Sequence, residues 1–143
     1  MASGVYLPTM EDILDTTQLA LNWDAETHKW ALYTSSRAPD YNANTAYSST
    51  NEISGTGYTA GGQVVTGTAF SRPGAGVSKY STDAVQWASS TLSGVRYVDM
   101  YADALAGDNL MIGIDLGTGY NTNDGTLLIT PHSNGLMTID WTP

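Results

Sequence analysis

The chain has 143 residues, five basic side chains against fourteen acidic ones, a formal net charge of -9 and no cysteine. A chain of this size buries about two-thirds of its unfolded surface, so one domain with a self-sufficient core is expected, without disulfides, thiolate metal sites or thiol nucleophiles. The basic residues Lys29, Arg37, Arg72, Lys79 and Arg96 are scattered, which argues against a phosphate-tracking stripe and an anionic membrane partner, and no apolar run approaches the roughly 20 residues that span a bilayer.

Charged residues make up 13% of the chain, half the usual share of about 25%, while tyrosine numbers nine and tryptophan four. Protein contact surfaces share this bias towards Tyr and Trp and away from Lys and Glu. An uncharged Ser/Thr/Asn/Gly surface of the kind found on extracellular β-proteins would have the same composition. Met1 to Tyr6 lacks the basic and apolar stretches of a secretory signal, so synthesis in the cytoplasm is the expectation.

In chain order, Pro8 and Thr9 with Asp12 three residues on predict a helix start, Thr9 acting as cap, and one or two turns through Leu14. Tyr6, Leu7, Pro8 and Met10 lie ahead of the β body, and residues 1–12 are expected to act as an assembly arm. Leu19, Leu21 and Trp23 alternate, Asp24 to Thr27 reads as a turn, and Trp30 to Thr34 as the hairpin partner. From Ser35 to Gly62 runs a polar loop with Tyr41, Tyr47 and Tyr58. Loops of that length are uncommon in compact domains and are usually functional or supported by a partner.

Short strands then crowd together at Gln63 to Phe70, Val77 to Tyr80, Asp83 to Trp87, Val95 to Tyr101, Leu110 to Leu116, Thr126 to Thr130 and Leu136 to Trp141. Val95 to Tyr101 and Leu110 to Leu116 are the strongest β runs, expected to pair antiparallel through the Gly107-Asp108-Asn109 turn. This pattern predicts an all-β chain: a single antiparallel β-sandwich domain over residues 1–143, immunoglobulin-like or jelly-roll-like, with a short N-terminal helical segment or arm.

Signals for chemistry are sparse. His28 and His132 both read as exposed turn residues, and no nucleophile elbow accompanies them. Among Asp99, Asp103, Asp108 and Asp115, alternation places Asp99 and Asp103 on a solvent face. Tyr120 to Gly125 has the composition of a calcium loop, but its oxygen donors fall out of register. Gly55 to Gly62 lacks the lysine of a phosphate loop. No catalytic residue, metal ligand or cofactor site is assigned. The segment with Glu52, Gly55, Gly57, Tyr58, Gly61 and Gly62 is instead expected to be a tight structural loop anchored by Tyr58, with Gly61 and Gly62 supplying backbone angles closed to other residues.

Six segments in order carry a likeness: Trp30-Ala-Leu-Tyr-Thr-Ser-Ser, Ala38-Pro-Asp-Tyr-Asn, Asn51 to Gly62, Val85-Gln-Trp-Ala-Ser-Ser-Thr-Leu, Gly113-Ile-Asp-Leu-Gly and Asp124-Gly-Thr-Leu-Leu-Ile-Thr. With them the chain resembles a family of small tailed-bacteriophage virion structural proteins, most recognisably at Glu52 to Gly62, and departs from it at Arg72 to Ser78 and at the N-terminus. The resemblance implies a non-enzymatic particle component in the virion, with no catalytic residues to carry over. A net charge of -9 is repelled by packaged DNA, so the outer surface of the head suits the chain best. The expectation is therefore a capsid decoration protein bound to the major capsid protein, a homo-oligomer, with a trimer favoured by analogy with decoration proteins. The alternatives are a minor tail or fibre-associated component and a carbohydrate-binding sandwich presenting Tyr41, Tyr47 and Tyr120. With few lysines or prolines to guard its strand edges, the protein is expected to cover them with other chains.

Overall fold

The computed structural model describes residues 3–25 and 27–142. The first two residues of the expected arm and Glu26 of the expected turn lie outside that range. The described chain is all-β with one short helix, and its sheets are antiparallel and sandwich-like.

In order come β1 (Gly4–Val5), α1 (Leu7–Leu14), β2 (Lys29–Tyr33), β3 (Gln63–Val64), β4 (Ala69–Gly74), β5 (Val77–Ser81), β6 (Val85–Ser90), β7 (Val95–Ala102), β8 (Asn109–Tyr120), β9 (Gly125–Ile129) and β10 (Met137–Asp140). A five-stranded sheet has the order β1-β8-β7-β2-β3, a three-stranded sheet β10-β5-β4, and a two-stranded sheet β6-β9. The expected pairing of the two strongest runs is the β7–β8 ladder, which sets Val98 opposite Ile114 and Met100 opposite Ile112.

Period-two alternation gives the large sheet two buried faces. One carries Trp30, Leu32, Val98 and Met100, which pack with Tyr80 of β5, Val85 and Trp87 of β6, Leu127 of β9 and Met137 of β10 into the main core. The opposite face carries Ala31, Tyr33, Tyr97 and Tyr101, joined by Tyr6 and Leu110 in a second buried cluster.

Three expectations are corrected. Leu19 to Trp23 forms no strand, because β2 pairs with β7 and β3 and leaves it no ladder partner. The segment is instead tied down irregularly, with Leu19 N–H donating to the Asp12 carbonyl at 2.8 Å. Thr9 does not cap α1. Tyr6 occupies the cap position, without a side-chain cap bond, and the buried Thr9 hydroxyl donates to the Leu110 carbonyl at 2.5 Å. The strand expected over Gln63 to Phe70 divides into β3 and β4, and β4 continues through Arg72 and Pro73 into a hairpin with β5.

Candidate interaction surface

The second face of the large sheet is closed by pieces of chain that are remote in sequence. The long loop, described without a named strand between β2 and β3, and the N-terminal segment lie over it, held by two carboxylates. Asp99, on central strand β7, is fully buried. It accepts from Tyr6 Oη at 2.9 Å on one oxygen and from Arg37 Nη2 at 2.8 Å and Nε at 3.2 Å on the other. One carboxylate thus ties the arm and the start of the loop to the sheet. Burial pushes the Asp99 carboxyl above its ordinary value, against the opposing pull of Arg37 and of the Tyr6 hydrogen bond.

Glu52 holds the other end. It accepts from the hydroxyls of Tyr47 at 2.6 Å and Tyr58 at 2.5 Å, and from Gly61 N–H at 2.7 Å. Tyr58 Oη in turn accepts from Leu32 N–H at 3.0 Å, so its ring bridges loop and sheet. Gly62 has φ +81°, and a Cβ there would stand 1.8 Å from the Trp30 carbonyl oxygen; only glycine lets the chain pass this close to β2.

Two further hydroxyls are bonded, while that of Tyr41 is buried with no hydrogen-bond partner among the described residues. Tyr33 donates to the Ser48 carbonyl at 2.8 Å and Tyr101 to the Gly61 carbonyl at 2.7 Å. Tyr47 stacks on Tyr101 with ring centroids 4.5 Å apart, and Tyr41 meets Tyr6 edge to face at 4.9 Å. Burial raises the Tyr41 phenol to about 12, and raises Tyr6, Tyr33, Tyr47, Tyr58 and Tyr101 further. All six are therefore neutral at physiological pH.

This arrangement re-sorts the residues singled out in the sequence. Tyr6, expected in an assembly arm, is fully buried in the chain's own interior; Pro8 and Met10 are half-buried, and of that set Leu7 alone is exposed. Tyr41 and Tyr47 face inward into the tyrosine layer, so only Tyr120 of the three rings expected to meet a sugar stands exposed. Asp99 is interior rather than solvent-facing, because loop and arm cover a face that alternation alone would leave bare. Asp103 pairs with Lys29 at 3.0 Å and Asp115 with Arg96 at 2.8 Å.

His28 is likewise buried and not an exposed turn residue. Its Nε2 lies 3.2 Å from the Trp23 carbonyl oxygen, and its own carbonyl accepts from Val65 N–H at 2.8 Å. His132 is exposed and its Nδ1 accepts from Asn134 N–H within its own turn. Among the described residues no group of three or more His, Asp or Glu is placed to hold a metal ion, and no helix is long and apolar enough to cross a membrane.

A different part of the molecule is open. Between β8 and β9 runs an apolar groove made of two adjoining cavities of about 350 and 270 Å³ that share Leu116, Ile129 and Thr130. None of the side chains lining either cavity is an Asp, Glu, Lys or Arg. Leu128 and Tyr120 stand at its rim, 57% and 46% exposed. Trp30 lines the inner end, and its buried indole N–H has no hydrogen-bond partner among the described residues. Among the described residues β9 pairs with β6 alone, on one side.

No family model, curated protein or solved structure matches the chain. The geometry therefore carries the functional reading together with the segments of sequence set out above. Sequence reasoning missed the groove because Leu116 and Tyr120 lie on one strand and Leu128 on another, and each reads singly as an ordinary strand residue. The only signal pointing to it was the lack of charge in Gly125 to Thr130.

Proposed function

We propose that the chain is a non-enzymatic structural protein of a tailed-phage particle, a decoration protein seated on the outer surface of the head against the major capsid protein. It would be made in the host cytoplasm and assembled there as a homo-oligomer, with a trimer favoured by analogy with other decoration proteins. The observation that carries the reading is the pairing of a closed side with an open one. The tyrosine layer is covered by the chain's own loop and arm, whereas the β8–β9 groove is apolar, lined by no Asp, Glu, Lys or Arg, and bordered by a strand with one free edge. On a body of net charge -9, such a face is suited to other protein and not to nucleic acid. The six ordered segments of resemblance supply the particle.

Electron microscopy of purified particles tests the proposal. Many copies spread over the head lattice, in fixed ratio to the major capsid protein, are the expected result. A few copies at one vertex would replace it with the minor tail or fibre reading, and absence from particles would overturn both.

A further inference from the structure

The outer strands differ in how they are guarded. Exposed strand edges invite pairing with another chain, and proteins blunt them with charge, proline, bulges or extreme shortness. Here β1 and β3 have two residues each, β4 carries Arg72 and Pro73, and β10 ends on Asp140. In the two-stranded sheet the register shifts between Trp87 and Ser90 of β6, which places the bulge on that strand. β9, Gly125-Thr-Leu-Leu-Ile129, has none of these devices, and its free side has no partner among the described residues.

The neighbourhood of β9 also lets two copies meet without an acid in the groove lining or on the strand itself. Each carries -9, so two copies repel one another overall, while the groove lining and β9 present no acid. Leu128 is at once an exposed apolar knob and a wall of the adjoining hollow. A twofold contact places each subunit's knob beside the other's hollow, as a self-complementary isologous interface requires.

We infer that two copies of the chain pair through β9, antiparallel across a twofold axis, joining the two β6-β9 sheets into one four-stranded sheet and covering the groove. This rests on the reading of the chain as an assembling structural protein and names the surface it uses. The contact is twofold, so the unit it closes is a dimer and not the trimer that analogy favours.

Sedimentation of the full chain over a concentration series tests it, with Leu128→Glu and Thr126→Lys as variants. Both residues are exposed, and circular dichroism checks that each variant folds. The expected result is a concentration-dependent dimer whose dissociation constant rises at least about tenfold in each variant, as charge on an open edge opposes pairing. The wild-type dimer should tighten with added salt, which screens the mutual repulsion of the two acidic bodies. A monomer at every concentration, a trimer, or a dimer indifferent to both substitutions would overturn the inference. Each of those outcomes leaves the particle location to be decided by microscopy, so the two readings fail separately.

Discussion

On one face of the five-stranded sheet Trp30, Leu32, Val98 and Met100 meet apolar side chains of the two smaller sheets; on the other, Tyr33, Tyr97, Asp99 and Tyr101 meet a loop and an arm. The first face is closed by strands that alternation alone brings inward. The second is closed by irregular chain, whose backbone polar groups cannot be satisfied by a ladder and must find partners one at a time. Tyrosine suits that task, since its ring fills space and its hydroxyl reaches a carbonyl or carboxylate. The covering loop is therefore held by a few polar nodes, whereas the main core is held by area. The two faces should respond differently to substitution.

The largest effect is expected at Asp99. Asp99→Ala leaves the guanidinium of Arg37, 10% exposed, without its counter-charge, and breaking a buried pair from one side costs about 3 to 5 kcal/mol. Urea unfolding measures it. A loss no larger than that of an ordinary surface substitution would mean that the clasp does not hold the second face. Next comes Tyr58. Tyr58→Ala should cost about 3 kcal/mol, the lower end for large aromatic truncations because the ring is only half-buried. Tyr58→Phe should cost about 1 to 2 kcal/mol, because Leu32 N–H and one Glu52 oxygen lose a partner. Equal costs for the two variants would assign the whole effect to the hydroxyl and none to packing.

The smallest and most diagnostic effect is in pH dependence. The Asp99 carboxyl is raised by burial, so the native state holds its proton more tightly than the unfolded chain. Its contribution to stability is present at pH below the ordinary carboxylate value and is lost as pH rises through the raised one. Asp115 is lowered, first by the hydrogen bond from Gly117 N–H and then by Arg96. Its contribution is present above the ordinary carboxylate value and is lost as pH falls through the lowered one. Relative to wild type, the stability deficit of Asp99→Asn should therefore grow on acidification, while that of Asp115→Asn should shrink. Parallel slopes in paired denaturation curves would contradict the assigned environments.

The sequence made the ladder legible and left the cover obscure. Val95 to Tyr101 and Leu110 to Leu116 were readable as β7 and the first part of β8 because β-branched and aromatic residues alternate there, and α1 was readable through Leu14. Alternation also put Asp99 on the same face as Tyr97 and Tyr101. What it does not report is whether such a face meets water, since that depends on residues as distant as Tyr6 and Arg37. His28 was misread for the same reason: its turn-like neighbours hide that Val65, far along the chain, pairs with its backbone. The Glu52 to Gly62 loop was legible because its glycines mark close backbone approach, as at Gly62, although the carboxylate that Tyr47 and Tyr58 share was not foreseen.

The tyrosine face is closed by the single chain's own residues, whereas β9 is an open edge. Native-state hydrogen exchange on the dilute monomer distinguishes the two. The amides of Tyr6, Leu7, Tyr47 and Leu110, which donate to the carbonyls of Met111, Tyr41, Asp108 and Thr45, should be strongly protected, and the outward amides of β9 should exchange quickly. Fast exchange at the four amides of the tyrosine face, or strong protection of both sides of β9 in the monomer, would contradict that contrast.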